Sequence, residues 1–300
     1  MEEKKLSKQE LDELKAIQVP EDPRVKYKFV NLYNTIHQSH DGEYFYEKEK
    51  YNFIRIISSS DDLMKCTPFS IYGVFLDVAV SGITLDQTGQ PLAYILFYNQ
   101  KIDNRWEKRA ILEFSPYGEL AIRIQKGQIL YADSPVVVYE GDTFDPFIND
   151  KGQKIVAYKA KVPRTSKKII GAFIRLTRPD QSFDFYWMLK DDISRLAGYS
   201  QKKNKQAGAN ALYTSNEGQI DVGFLKAKTI KHAFQTFPKL KIGQFSQVQK
   251  EEVQAIDYGL EDTRVETTQA PPPDNSAFGD TPADKPTPEP VTVNDQDDVF

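Results

Sequence analysis

Three basic side chains late in the apolar part of the sequence have a spacing that suits a polyanion. Lys228, Lys231 and His232 lie three and four residues apart, so on a helix they share one face, with Lys226 on the adjoining surface. Leu225, Ile230, Phe234 and Phe237 would face the core. A second group, Lys202, Lys203 and Lys205, falls in the polar stretch YSQKKNKQAG, a loop of the kind that grips phosphates without reading bases. Arg195 precedes that loop, and Arg123 and Lys126 lie on a separate helical stretch upstream, so three helices could present bases to one groove. On charge pattern alone, a solvated lysine face, a flexible loop and structural ion pairs are the more ordinary readings. Tyr94, Tyr98, Tyr117, Tyr199 and Tyr213 add aromatic rings. Stacking a nucleic-acid base on such a ring is worth roughly 1 to 3 kcal/mol whatever the base, although most aromatic side chains in a domain serve its core.

Bond-breaking chemistry has less support. The sequence has no G-x-x-x-x-G-K-[ST] loop to cradle a nucleotide phosphate, so no use of ATP is expected. His37, His40 and His232 lack metal-ligand partners at useful spacing. Asp180, Asp184, Asp191 and Asp192 are not followed by E-x-K or D-x-K at nuclease spacing, which leaves two-metal chemistry unsupported. Cys66, the one cysteine, can form neither an internal disulfide nor a thiolate metal cluster. The expectation is a binding protein with no catalytic residues, no bound metal and no tightly bound cofactor, with magnesium the one divalent ion left open.

The net charge of -4 hides a division along the chain. Residues 251–300 carry 13 Asp or Glu and only Arg264 and Lys285 as bases, a net of -11, which leaves +7 for residues 1–250. A basic body joined to an acidic tail suits a protein that attracts phosphate backbones and regulates that attraction. No apolar run approaches the ~20 residues of a membrane span, and the start, MEEKKLSKQELDELK, is too charged for a secretory signal. A cytoplasmic protein without membrane partners is expected.

Several elements would have to position these residues. Residues 1–24 form a charged segment in which Leu6, Leu11, Leu14 and Ile17 suggest a short amphipathic helix over residues 1–18, packing on the core or on a neighbouring subunit. Helical patterns cover Tyr51 to Met64 and Pro68 to Ser81, the latter stopped by Gly82. Apolar runs at 92–99 and 109–115 read as a hairpin with a long charged loop, QKIDNRWEK. Ser115 and Pro116 open a helix that Gly127 closes. Strands follow in QILYADSPVVVYEGD, KIVAYKAKV, IIGAFIRLT and SFDFYWML, then helices over Asp191 to Tyr199 and Gln219 to Phe237, bounded by Pro238. This order gives an α+β domain over residues 25–250, a small antiparallel sheet flanked by helices. Residues 251–300, acidic and rich in proline, are expected to be a disordered tail.

The stretch CTPFSIYGVFLDVAVSGITLDQTGQPLAYILFYN resembles the RecT family of phage-type recombinases, with Cys66, Ser70, Gly82 and Ala93-Tyr94 at the family's positions. The likeness continues through Tyr117-Gly118, Gly127-Gln128-Ile129, Val138-Tyr139-Glu140-Gly141-Asp142 with Phe144, Met188 with Ile193, and the closing KAKTIKHAFQTFP. It covers residues 63 to 240. The chain departs from the family pattern in an expanded region from Pro146 to Lys168, in Tyr213 where several members have tryptophan, and in Gly118 where a base often follows the aromatic. The resemblance implies ATP-independent binding of single-stranded DNA and annealing of complementary strands, in a ring or filament of identical subunits. It also implies a partner exonuclease and a phage or prophage origin in a bacterial host. It turns Arg195, the Lys202 group and the Lys228 face into expected DNA contacts, with Arg123 and Lys126 beside them and Tyr117 and Tyr213 as the aromatic candidates. A single-strand binding protein that protects DNA and recruits replication or repair enzymes is the alternative.

The last residues, NDQDDVF, resemble the tip of bacterial single-strand binding proteins. Asp295, Asp297 and Asp298 before Val299 and Phe300 would suit a partner's apolar pocket rimmed by bases. An acidic tail that only keeps the protein soluble, or competes with DNA for the basic body, fits as well.

Overall fold

A computed structural model of the 300-residue chain describes residues 6–102, 104–203 and 210–238. It is a mixed helix and sheet fold with small antiparallel sheets, as the α+β pattern implied. The tail and its Phe300 tip lie outside the described residues.

The amino-terminal half is helical. Helix α1 covers only Lys8–Asp12, capped by Ser7 and Glu10 in a reciprocal box. The single helix expected over residues 1–18 therefore does not form. The Gln18 side-chain oxygen accepts from the Lys15 backbone N–H at 2.9 Å and turns the chain, so Leu6, Leu11, Ala16 and Val19 reach the core from a broken path. Helix α2, Pro23–His37, was not foreseen: Asp22 caps it, Pro23 opens it, and Val25 and Phe29 are its buried positions. The helix read from Tyr51 to Met64 is two helices, α3 (Gly42–Ser58) and α4 (Asp61–Met64), the second capped by Ser60. Helix α5, Pro68–Ser81, has the expected bounds, with Thr67 as N-cap and Gly82 at φ 64 as its left-handed stop. It is buried along almost its whole length, and Phe75 meets Phe29 at 4.5 Å and Phe53 at 4.9 Å between ring centroids.

Strands β1 (Ala93–Ile102) and β2 (Arg105–Phe114) pair along all ten positions. The expected long loop is strand nearly to its end, and the chain reverses over the two residues between Ile102 and Arg105, with Asn104 at φ 64. The hairpin base packs Ala93, Ile95, Ala110 and Leu112 into the helical core. Helix α6, Pro116–Gln125, follows with Ser115 as its cap.

The carboxy-terminal half is built around a central strand, β7 (Ile169–Thr177). It pairs antiparallel with β3 (Tyr131–Ala132) and β4 (Val136–Tyr139) along one edge and with β8 (Phe183–Leu189) along the other. Period-two alternation divides the side chains. Ala172, Ile174 and Leu176, with Tyr186 from β8, belong to the clusters that include residues of helices α7 (Lys190–Lys203) and α8 (Val222–Ala233). Phe173 and Phe185 face the other way, under a second hairpin formed by β5 (Thr143–Ile148) and β6 (Lys154–Lys159). Phe144 and Tyr158 of this hairpin meet Phe173 at 5.8 and 5.2 Å. The β5–β6 hairpin thus covers this face of the sheet. Helix α7 runs past the expected end at Tyr199 and takes in Lys202 and Lys203, which are helical. Helix α8 is shorter than the Gln219 to Phe237 expectation, because Asp221 caps it and a 3-10 turn over Phe234–Thr236 ends it.

Candidate nucleic-acid interface

The most exposed pairing of base and aromatic ring on the hairpins is the far end of β1–β2. Trp106 is 65% exposed, and its cross-strand partner Lys101 and its neighbour Arg105 are exposed as well. Trp106 and Lys101 share a face with Phe97, 38% exposed, and with Lys108, whose ammonium lies 5.4 Å from the Phe97 ring centroid and pairs with Asp62. Below the tip, β2 is fastened to α5: the Thr67 backbone N–H donates to the Lys108 carbonyl at 2.9 Å, and the Ala110 N–H donates to Ser70 Oγ at 3.0 Å. An indole on so firm a mount, with cations beside it, can stack a base and neutralise its phosphates. Sequence reasoning had read this stretch as a loop. The Asp-Asn turn pair and the alternation of Trp106 with Lys108 were the available signals.

The three-helix groove does not form as expected. Arg123 is buried, 1% exposed, and its guanidinium donates to Glu119 Oε1 at 2.6 Å, Gln128 Oε1 at 2.8 Å and the Pro238 carbonyl at 3.3 Å. The same group lies 4.8 Å from the Phe234 ring and 5.3 Å from the Phe237 ring. Arg123 therefore ties α6 to the end of α8 and is not presented to a ligand. Tyr213 is also a correction: it is 5% exposed and packs edge-on against Phe224 at 5.2 Å. Lys228, 6% exposed, holds its ammonium 4.9 Å from the same Phe224 ring, so it is not part of an open face. The helical spacing was right, but α8 is covered on that side.

Other expected bases are better placed. Lys126 is exposed at the end of α6, Lys202 is exposed on the last turn of α7, and Lys226 and Lys231 are partly exposed. Arg195 is exposed but paired with Asp192 at 2.8 Å. His232 is set near Arg195, Asp192 and Lys154, and burial pushes its pKa below the ordinary histidine value. It is neutral near pH 7 and adds no positive charge to this edge. The Lys203 side chain and Lys205 lie outside the described residues.

At the seam between the halves, a cleft of about 250 Å³ is lined by residues including Tyr94, Ser115, Tyr117, Asp221 and Phe224. Gly118 is required here, since a Cβ at that position would stand 1.9 Å from the Leu92 carbonyl oxygen. That approach brings Tyr117 and Tyr94 to one wall. Burial pushes both tyrosine hydroxyls above their ordinary pKa. Burial also pushes the Cys66 thiol up to about 12, which keeps it protonated and unreactive at neutral pH. Among the described residues, no three His, Cys, Asp or Glu side chains are placed to hold a metal ion.

The structure joins a helical lobe to small antiparallel sheets and exposes bases and an indole on its surface. A family model for the RecT family matches residues 47–257, more than half of the chain, and the chain belongs to the RecT family, whose members anneal single strands in DNA recombination. The match takes in part of α3, ahead of the resemblance read from residue 63. A search among curated proteins returned no match.

Proposed function

We propose that this protein binds single-stranded DNA and anneals complementary strands without ATP and without breaking a bond. The observation that carries this reading is Trp106, exposed at the end of a braced hairpin opposite its exposed cross-strand partner Lys101. Such a site grips any sequence, because every base has a stacking face and every nucleotide a phosphate. Lys126, Lys202, Lys226 and Lys231 extend the positive surface, and Tyr117 lines the cleft at the seam. Identical subunits would line up these surfaces in a ring or filament, each holding a few nucleotides, with magnesium acting only as a screening ion. Partner proteins, an exonuclease that exposes the single strand and host replication enzymes that meet the Asp295–Phe300 tip, belong to the same reading. No helix among the described residues is long and apolar enough to cross a membrane, and the bacterial cytoplasm is the proposed setting.

The test mixes complementary labelled oligonucleotides with the protein in the absence of ATP and follows duplex formation and strand integrity. Faster pairing with intact strands supports annealing. Binding without pairing would favour a protective single-strand binder, and cut strands would overturn both.

A further inference from the structure

We infer that the end of β6 and the loop from Lys159 to Lys168 form a second contact for the phosphate backbone of single-stranded DNA, apart from the β1–β2 tip. This rests on the proposed function and adds a surface to it. The loop falls in the stretch where the chain departs in length from the family pattern.

Lys159, Lys161 and Arg164 are all exposed there. Three nearby carboxylates, Asp142, Glu140 and Glu217, are already engaged. Asp142 accepts from the Tyr139 backbone N–H at 3.0 Å, the Lys161 backbone N–H at 2.9 Å and the Tyr158 hydroxyl at 3.2 Å. Glu140 accepts from Lys168 at 2.6 Å and from Ser166 at 3.2 Å, and Glu217 pairs with Lys167 at 2.9 Å. The carboxylates hold the loop through its backbone and its two last lysines. Lys159, Lys161 and Arg164 form no ion pair with the described residues and are left to act outward.

The loop is exposed yet fixed at both ends. Asp142 holds the Lys161 backbone, while the Ile169 N–H donates to Gln219 Oε1 at 2.7 Å and the Glu140 N–H to the Lys168 carbonyl at 2.8 Å. The Arg164 guanidinium lies 3.7 Å from the Tyr139 ring centroid, which restrains a side chain that would otherwise lose much freedom on binding. Bases held in place in this way cost less entropy when a ligand arrives. Three cations without a specific donor and acceptor pattern recognise the repeating phosphate and not the bases.

The experiment replaces all three in the full chain, Lys159→Gln, Lys161→Gln and Arg164→Gln, and measures the affinity for a labelled oligothymidine over a range of salt. Trp106→Ala serves as the reference for the hairpin surface. The expected result is a slope of log affinity against log salt that is shallower by about 2, at ~0.7 per lost contact, with an unchanged melting temperature. Wild-type binding with an unchanged slope in the triple variant would overturn this inference and leave the proposed function standing. No wild-type binding at all would overturn both. A peptide spanning residues 251–300 that binds the wild type but not the triple variant, with DNA binding unchanged, would also overturn it and assign the loop to the chain's own acidic segment.

Discussion

Arg123 and the cross-strand pair Trp106–Lys101 put similar chemical parts, a cation and aromatic rings, to opposite uses. Around Arg123 the partners come from two stretches of chain: Glu119 and Gln128 within or just beyond α6, and Phe234, Phe237 and the Pro238 carbonyl from the far end of the domain. Every such partner removes a direction from which a ligand could approach, and the cation becomes a joint between helices. At the hairpin tip Gln100 and Ile102 are buried on one face, while Trp106 on the other keeps 65% of its surface open. A basic residue beside a ring is therefore a ligand site or a structural pin according to how many elements converge on it.

The largest expected effect breaks the pinned member of this pair. Arg123→Ala strands the Glu119 carboxylate and removes four hydrogen bonds, and should lower unfolding free energy by about 3 to 5 kcal/mol, the usual cost of breaking a buried pair; urea denaturation measures it. A loss below about 1 kcal/mol would mean that the pin carries no load. Next comes Gly118→Ala, whose methyl group must push against the Leu92 carbonyl and should cost about 1 to 3 kcal/mol in the same assay. Trp106→Ala should leave unfolding within about 0.5 kcal/mol and weaken single-stranded DNA binding by about 1 to 3 kcal/mol, with Trp106→Phe recovering part of it. If Trp106→Ala unfolds the protein and leaves DNA affinity alone, the contrast is inverted.

The smallest effect concerns pH. Burial holds the His232 pKa below its unfolded value, so its contribution to stability is present above about pH 6.5, the ordinary histidine value, and is lost as pH falls through the lower folded value. Denaturation midpoints of the wild type should fall on acidification through this window, and His232→Gln should flatten that fall. An identical pH profile in the variant would place the acid sensitivity elsewhere.

Where local signals and tertiary packing agree, the fold could be read from the residues. Thr67, Pro68 and Gly82 bound α5, and Ser115 and Pro116 open α6, because capping and φ preferences act over a few residues. Helix α2 escaped notice although Asp22 and Pro23 announce it, since beside the fully buried Val25 and Phe29 its other core contacts, Val30, Leu32 and Tyr33, are only partly buried and interspersed with lysines and asparagines. The hairpin tip was missed because the run QKIDNRWEK is mostly charged and polar and resembles a loop. The site was less legible than the fold. Whether Arg123 or Tyr213 faces water depends on Pro238 and Phe224, residues brought near by the fold and not by local sequence spacing. The carboxy-terminal residues Asp295, Asp297, Asp298, Val299 and Phe300 keep the reading their sequence alone provides.

The way α5 grips β2 has a mechanical consequence. The hairpin behaves as a beam clamped as far as Lys108, and beyond the clamp, at the pairs Gln100–Glu107, Lys101–Trp106 and Ile102–Arg105, the Trp106 face overhangs in solvent while Gln100 and Ile102 on the other face are buried. That overhang is about 10 Å at the usual rise of ~3.4 Å per residue. A short cantilever resists bending far more than a long one, so Trp106 has little swing of its own, and a strand seated on it would have to be displaced by movement of the whole helical lobe.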